Sequence, residues 1–441
     1  MAVTRAVVIH AVESLIAEFT ACCNLLGEQL AKSTDSKNAE HVAFACKGFY
    51  MKIFSMGLSR LPLGLVYQSK PRLWTAPIQD KLLASAQGLG IGAFNILEDH
   101  TASFQSFGDI AVFIALVLER DSREGSARFL GTHMLPKVVG RPWKLATAIP
   151  LGVVLFGQSS TGNPDDVFIA DKALVYLQYL SQHLATESLH MEDYQMDYDG
   201  YSMNELIQNS LQFMAGCHAP GLRSVAFAKF KTFLRVFDHT VILHIIAEIM
   251  TKSGQPILEV AALAILKEFV HEFWNRPHDS GRHQSPKPNT FASPVLTETL
   301  LKLLLDPKQS FYLDPVVPSR TVLNDRQTLL RSSDVVMHVL NLYLYLLIRD
   351  LPSRKLGLWD KSHLDATRRA FLDPLARHVE RLAQEQENQH CQQHAEETDH
   401  DDGVDHACAA DPTKSLLLNM MQSTLSRIEE ITTTADQDEQ E

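Results

Sequence analysis

The chain has 441 residues, 45% of them hydrophobic, and a formal net charge of −12. This composition is typical of a folded globular protein with two or three domains, or of one elongated array. The charge is uneven, because residues 380–441 hold sixteen Asp and Glu against three Lys and Arg, which leaves the rest nearly neutral. Without an extended Lys/Arg tract, the composition argues against nucleic-acid binding as the main role.

The cysteines and the N-terminus indicate the compartment. The six cysteines form no CxxC pair and no disulfide-framework spacing, which is typical of a reducing compartment. His10 and Glu13 interrupt the apolar N-terminal run too early for a signal-peptide core. We therefore expect a protein of the cytoplasm or nucleus without a membrane partner.

The first half of the chain has helical patterns. Apolar residues recur at spacings of three and four in 6–30 and 40–56, which predicts a helical hairpin. The run 148–156 is ambiguous between a strand and a buried helix. Further helices are predicted at 78–89, 109–119, 128–136 and 167–184. Together they predict an N-terminal helical-repeat region, 1–184.

Two short motifs in this half resemble catalytic or nucleotide-binding loops. GLGIG at 88–92 follows a helical pattern and lacks the third glycine of a dinucleotide-binding loop. GQSSTG at 157–162 misses the spacing of a nucleophile elbow, so Ser159 and Ser160 are interpreted as turn residues. The loop 157–165 that contains them precedes the helix at 167–184.

The segment 185–202 is predicted to be an acidic linker between two halves, since it carries Glu187, Glu192 and Asp193 among other acids. After it the pattern is more regular. Starts at Leu222, Ile257 and Val295 lie 35 and 38 residues apart, close to the length of helical repeats. Helices are predicted at 203–217, 222–237, 240–251, 257–274, 295–305, 326–349 and 363–386. The sequence thus predicts an all-α, irregular HEAT-like α-solenoid of stacked helical hairpins, with its C-terminal repeats at 203–386.

The most apolar stretch, 332–350, is interpreted as the central helix of these repeats. In 334–348 only Asp334, His338 and Asn341 are polar, so the helix must be buried on several sides. Ser332, Ser333 and Asp334 are expected to cap its N-terminus. His338 is interpreted as a hydrogen-bonded core residue.

The tail has three predicted parts. The Gln-, His- and acid-rich segment 387–412 is expected to be disordered, and so are residues 433–441. Between them, 413–432 is an amphipathic helix that docks either on its own repeats or on a partner. Cys391 and His394 form one tight pair without a second, which is not the pattern of a structural zinc site.

Three stretches of the second half resemble the glomulin family. They are LRSVAFAKFKTFLRVFD at 222–238, LNLYLYLLIRD at 340–350, and the pattern of 363–386 with FLDPLARHVERL. The family includes a plant regulator of lateral-root formation and yeast proteins that bind a stress-response bZIP factor. The resemblance covers roughly 203–386.

The resemblance implies a HEAT-like repeat protein without catalytic activity. From glomulin itself it implies a repeat region that grips the RING subunit of a cullin-based ubiquitin ligase and masks the surface for the ubiquitin-conjugating enzyme. From the yeast members it implies instead a scaffold for a stress-response transcription factor or a kinetochore-associated adaptor. Outside the family, a generic helical-repeat adaptor is the alternative.

Candidate protein-binding residues follow the central helix. RKLGLW at 354–359 sets Arg354 and Lys355 beside Trp359, and Arg349 precedes them. Cations next to an aromatic anchor suit protein binding. The alternative is that Arg349 only caps the helix and Trp359 packs at a turn between repeats. No HExxH motif, P-loop or convincing Cys/His constellation is present in the sequence, so neither an enzyme nor a cofactor is expected.

Overall fold

The computed structural model describes the chain from the middle onward, with gaps. Described are residues 142–159, 166–198, 200–217, 219–274, 289–306, 308, 326–396 and 412–438, and isolated residues between 14 and 45. The described residues within 6–30 are helical. The predicted helices at 78–89, 109–119 and 128–136 and the GLGIG motif lie outside the described residues. The chain divides into two compact units, Met1–Asp238 and His239–Glu441.

Among the described residues, the first unit is built mainly on four long helices, and the first of these, α1 (Pro142–Ser159), resolves the ambiguity at 148–156. This run lies inside α1 and is buried at every described position, as expected of a helix that is apolar all round. Gly152 lets α4 approach closely, since a Cβ there would lie 2.8 Å from Leu206 Cδ1. Helices α1 and α2, α1 and α4, α2 and α5, and α4 and α5 pack together. The bounds are α1 Pro142–Ser159, α2 Asp166–His183, α4 Met203–Gly216 and α5 Pro220–Leu234.

The segment predicted as an acidic linker is folded into the first unit. It contains α3, Met191–Gln195, and a minimal antiparallel pair, β1 Asp197–Tyr198 and β2 Tyr201–Ser202. Tyr194 and Tyr198 are buried there. The boundary between the two compact units therefore falls between Asp238 and His239 in the chain, and not in this segment.

Main-chain hydrogen bonds fasten this segment to the end of α5. Leu189 donates its N–H to Val236 O at 3.0 Å, and Asp238 donates its N–H to Leu189 O at 2.9 Å. The His190 ring lies 2.8 Å from Asp238 Oδ2. The linker was predicted from the acidic residues of this segment. The apolar side chains between them are buried, and this is why the segment is folded.

The second unit begins with a helical hairpin, α6 packed on α7. Helix α6 buries a row at spacings of three and four, namely Val241, Ile242, Ile245, Ile246 and Ile249. At the end of α7, Phe273 stacks on Phe291 with ring centroids 5.4 Å apart. The bounds are α6 His239–Lys252, α7 Pro256–Trp274, a 3-10 turn Thr290–Ala292, α8 Pro294–Leu296 and α9 Lys302–Leu304. A π-helical turn, Thr297–Leu301, joins α8 to α9.

The predicted central helix is α10, Arg326–Asp350. It packs against α7 on one side and against the C-terminal helix on another, and Val336, Leu340, Tyr343 and Leu347 are fully buried. The N-cap prediction at Ser332–Asp334 is wrong, because the helix begins six residues earlier at Arg326. His338 is hydrogen-bonded, to the carbonyl of Asp334 at 2.7 Å, although it is only half-buried.

The last helices of the unit depart from the predicted tail. Helix α12 continues to Glu396, so the first part of the segment expected to be disordered, 387–396, is helical. The rest of that segment, 397–411, lies outside the described residues. The amphipathic helix predicted at 413–432 is α13, which packs on α10 and α12 of its own chain. It continues to Asp438, so the expectation of disorder from residue 433 is wrong for 433–438. The bounds are α11 Lys361–Thr367, a π-helical turn Arg368–Leu372, α12 Asp373–Glu396 and α13 Pro412–Asp438.

Candidate protein-binding site

The predicted site residues lie at the end of α10 and in the loop 351–360 that follows it. This loop folds back over Asp350, the last residue of the helix. Asp350 is fully buried, and its Oδ1 accepts the N–H of Leu356 at 3.0 Å. Its main-chain oxygen accepts the N–H groups of Ser353 at 3.0 Å and Arg354 at 2.6 Å. One residue thus anchors both ends of a tight turn.

Burial and hydrogen bonding act on the pKa of Asp350 in opposite directions. Burial raises the pKa of its carboxyl group. The N–H groups of Leu356, Lys355 and Leu358, together with the positive charge of Arg354, lower it in turn. These donors all lie in the loop, so the carboxylate draws the loop inward.

A second anchor reaches the loop from the π-helical turn of residues 297–301. Thr297 is buried, and its hydroxyl donates to Leu356 O at 2.8 Å. Leu356 and Leu358 are themselves buried. Gly357 between them has φ +70°, a conformation that suits glycine. The loop is therefore held by side-chain burial as well as by hydrogen bonds.

The four predicted site residues differ in their exposure to water. Arg354 and Lys355 are exposed, and Arg349 is partly exposed. Arg354 has φ +48°, an uncommon conformation for a residue with a Cβ. Trp359 is only 7% exposed, so of its two interpretations the burial agrees with packing at a turn and not with an exposed binding anchor. It follows Leu356 and Leu358 into the core and serves the loop as an inward anchor.

An aromatic residue that the sequence analysis missed lies beside Arg349. Tyr345, one turn earlier on α10, shares a 3.1 Å hydrogen bond between its hydroxyl and His271 Nδ1 of α7. Lys267 Nζ lies 5.2 Å from the centroid of the Tyr345 ring, within the range of a cation–π contact. Burial raises the pKa of the Tyr345 hydroxyl, and the charge of Arg349 acts in the opposite direction.

Two apolar side chains complete this surface. Ile348 is 51% exposed and Leu351 43% exposed, although Ile348 directly follows two fully buried leucines, Leu346 and Leu347. Tyr345, Ile348 and Arg349 share one face of α10 because they are three and four residues apart. We call the following set the α10 surface: Tyr345, Ile348, Arg349, Leu351, Arg354 and Lys355, with Lys267 and His271 of α7.

The α10 surface combines apolar anchors with positive charge. Arg349, Arg354 and Lys355 are the cations at its α10 end, and Lys267 adds one on α7, where Glu268 and Glu272 are also exposed. The spacing of Tyr345, Ile348 and Arg349 was visible in the sequence. The contact of Tyr345 with His271 and Lys267 of α7 was not, because it depends on the pairing of two helices far apart in the chain.

The described residues have two further properties. They contain no group of three or more His, Cys, Asp and Glu placed to hold a metal ion. None of the helices among them is long and apolar enough to cross a membrane.

A known protein family is similar to this chain over more than half of its length. The model of an uncharacterised protein family described as YAP/Alf4/glomulin matches residues 165–406. This range includes α2 to α12 and therefore all of the α10 surface. No curated protein matches the chain.

Proposed function

The chain belongs to the YAP/Alf4/glomulin family, and we propose that it is a non-catalytic protein-binding protein that inhibits a cullin-RING ubiquitin ligase by masking the RING subunit. Family membership sets aside the generic adaptor outside the family and supports a helical, protein-binding role. The RING subunit comes from the resemblance to glomulin. The α10 surface is the part of the chain that we assign to this contact, and the cytoplasm or nucleus is where we expect it to act.

The observation that carries the proposal is that apolar and cationic side chains are exposed at the end of α10 and on a loop that hydrogen bonds hold in place. Ile348 and Leu351 expose much of their area to water, and the cationic residues Arg349, Arg354 and Lys355, which are partly or fully exposed, lie close to them in the chain. A buried apolar centre with a charged rim is the usual anatomy of a protein interface. Because Asp350 and Thr297 hold the loop, little order has to be gained on binding.

Masking is a steric mechanism, and it needs neither a nucleophile nor a metal. A helical surface placed over a RING subunit denies that surface to the ubiquitin-conjugating enzyme. Cations on the α10 surface would pair with acidic side chains of the RING subunit and set the orientation of the complex.

The test uses the full-length chain, a cullin-bound RING subunit and a ubiquitin-chain assay on the same complex. We expect binding together with loss of chain formation. Charge reversal by Arg354→Glu and Lys355→Glu should weaken binding at least about tenfold, because a charge at an interface pairs or repels directly. Arg377→Glu, at an exposed position of α12, is the matched control and should bind as the wild type does.

Two results would contradict the proposal in different ways. If the full-length chain does not bind the cullin-bound RING subunit, the proposal that it inhibits a cullin-RING ligase is wrong. If it binds and the double reversal has no more effect than Arg377→Glu, the contact lies elsewhere than on the α10 surface.

The family description supports one further candidate, because it names YAP beside glomulin. In that case the partner is a stress-response bZIP factor, and the chain acts as its scaffold or as a kinetochore-associated adaptor. The same purified chain distinguishes the candidates. Capture of the bZIP factor, with no capture of the RING subunit, would favour the scaffold.

A further inference from the structure

Helix α13 covers α10 and α12 through one regular row of side chains. Leu418, Met421, Leu425, Ile428 and Thr432 are buried, at alternating spacings of three and four. The opposite side is exposed, including the apolar residues Leu416, 61% exposed, and Met420, 48% exposed. A single buried row is the pattern by which an amphipathic helix occupies a groove.

The fit of α13 against α12 is incomplete. An open cavity of about 380 Å³ lies between them, and it is lined on one side by Arg368, Leu372, Asp373 and Glu380. Arg368 and Leu372 belong to the π-helical turn before α12. A π turn carries an extra residue and so widens the helix locally, which keeps its neighbour at a distance. Polar groups beside the cavity keep contact with water while α13 is bound.

The family model matches the helices that α13 packs on, but it does not match α13 itself. The match to the family model ends at residue 406, so it contains α10 and α12 and stops before α13. The groove is thus a property of the family-matched repeats, whereas the helix that fills it lies outside the match.

From these observations we propose that α10 and α12 form a helix-binding groove, that α13 is its detachable intramolecular occupant, and that a partner protein competes for it with an amphipathic helix. The partner helix carries apolar residues at the spacing of Leu418, Met421, Leu425 and Ile428. It has to displace a tethered competitor, whose effective concentration is high. The groove is a separate site from the α10 surface, and its test does not depend on the ligase proposal.

The first experiment measures binding of a fluorescent peptide of residues 412–438 to the full-length protein. In the wild type α13 occupies the groove, and we expect weak binding. Leu418→Asp with Met421→Asp places two charges in the buried row and should release α13. The labelled peptide should then bind this variant at least about tenfold more tightly than the wild type.

The matched control makes the same chemical change on the other side of the helix. Leu416→Asp with Met420→Asp alters two exposed positions of α13. This variant should bind the peptide as weakly as the wild type does. Equal binding by both variants would overturn the proposal, because the effect would then follow from added charge and not from an emptied groove.

A second measurement uses the unaltered protein, so it stands even if the double variant does not fold. Hydrogen exchange should show the amides of α13 exchanging at least about tenfold faster than the buried amides of α10, since a detachable helix opens by itself. Exchange of α13 and α10 at the same slow rate would overturn the proposal, because α13 would then be an integral part of the core.

The class of partner is tested with two designed peptides. One keeps the apolar positions of 412–438 and shuffles the polar residues among themselves; the other moves each apolar residue by two positions, off the buried face. If the groove recognises apolar spacing, the first should compete with the labelled peptide on the released variant and the second should not. Failure of the first peptide, or equal competition by both, would overturn the assignment of an amphipathic helix.

Discussion

The carboxylate of Asp350 accepts the backbone N–H of Leu356, six positions later in the chain, at 3.0 Å. This hydrogen bond joins the end of α10 to the loop that carries Arg354 and Lys355. The position of two surface cations therefore depends on a side chain that has no exposure of its own.

Removing this carboxylate should loosen the loop. In Asp350→Ala the N–H of Leu356 loses its acceptor in a buried position, and we expect the free energy of unfolding to fall by roughly 2 kcal/mol. Asp350→Asn keeps one carbonyl oxygen as acceptor and should lose less. Urea unfolding measures the stability, and hydrogen exchange at 353–358 measures the loop itself.

The control for Asp350 is Asp334→Ala, an exposed carboxylate on the same helix. It should leave both measurements unchanged within a few tenths of a kcal/mol. Unchanged exchange at 353–358 in Asp350→Ala would show that burial of Leu356 and Leu358 holds the loop without the carboxylate.

The pH dependence of stability should contain a contribution from Glu259. This side chain is buried near the start of α7, and the hydroxyl of Ser253 donates a hydrogen bond to its Oε1 at 3.3 Å. Burial raises its pKa from 4.5 to about 7, and the hydrogen bond from Ser253 opposes the shift. Between these two values the folded state holds a proton that the unfolded state has released, so stability falls as the pH rises and the loss is complete above about pH 7.

Glu259→Gln removes this titration and should flatten the profile. Between about pH 5 and pH 8 the wild type should lose roughly 2–3 kcal/mol more than the variant in urea unfolding. Glu298→Gln, which changes an exposed side chain, serves as the control and should follow the wild-type profile. Parallel profiles of wild type and Glu259→Gln would exclude Glu259 as the titrating group.

The helices of the second half could be predicted from the sequence because their cause is local. Helix α7 starts within one residue of its prediction and ends at Trp274 as predicted, since its apolar spacing and the Pro256 beside its start are both visible in the chain. The extension of α12 to Glu396 was missed for a physical reason. Its Gln and Glu residues are poor at burying area and yet good at forming a helix.

The site could be predicted only in part. Arg349, Arg354 and Lys355 are charged, and charge favours exposure whatever the fold. The position of Trp359 depends on how the loop turns around Asp350, and the contact of Tyr345 with His271 joins residues 74 apart in the chain. Such contacts depend on which helices pack together. The periodic pattern of one helix does not predict its packing partner.

Two glycines should respond in opposite directions to the same substitution. Gly357 has φ +70°, and a Cβ there would lie 3.3 Å from Asp360 Oδ2, so Gly357→Ala should cost about 1–2 kcal/mol. Gly216 is the last residue of α4 and has open space around it, so Gly216→Ala should add up to about 1 kcal/mol. Thermal unfolding of the two variants checks both signs, and a stabilised Gly357→Ala would mean that the loop does not need this conformation.

Trp359 should matter for stability and not for binding. The side chain is 7% exposed, and its indole N–H has no hydrogen-bond partner among the described residues. Trp359→Phe therefore keeps an aromatic ring in the core without losing a hydrogen bond, and we expect a cost of about 1 kcal/mol. Trp359→Ala leaves a large cavity and should cost about 3–5 kcal/mol.

Urea unfolding measures this difference, and binding to the cullin-bound RING subunit separates the two roles of the loop. Trp359→Phe should bind as tightly as the wild type, whereas Lys355→Glu, at an exposed position, should bind more weakly at unchanged stability. If Trp359→Phe lost affinity while keeping its stability, the indole would have to reach the partner. The loop would then have to open on binding, because in the present structure the ring faces the core.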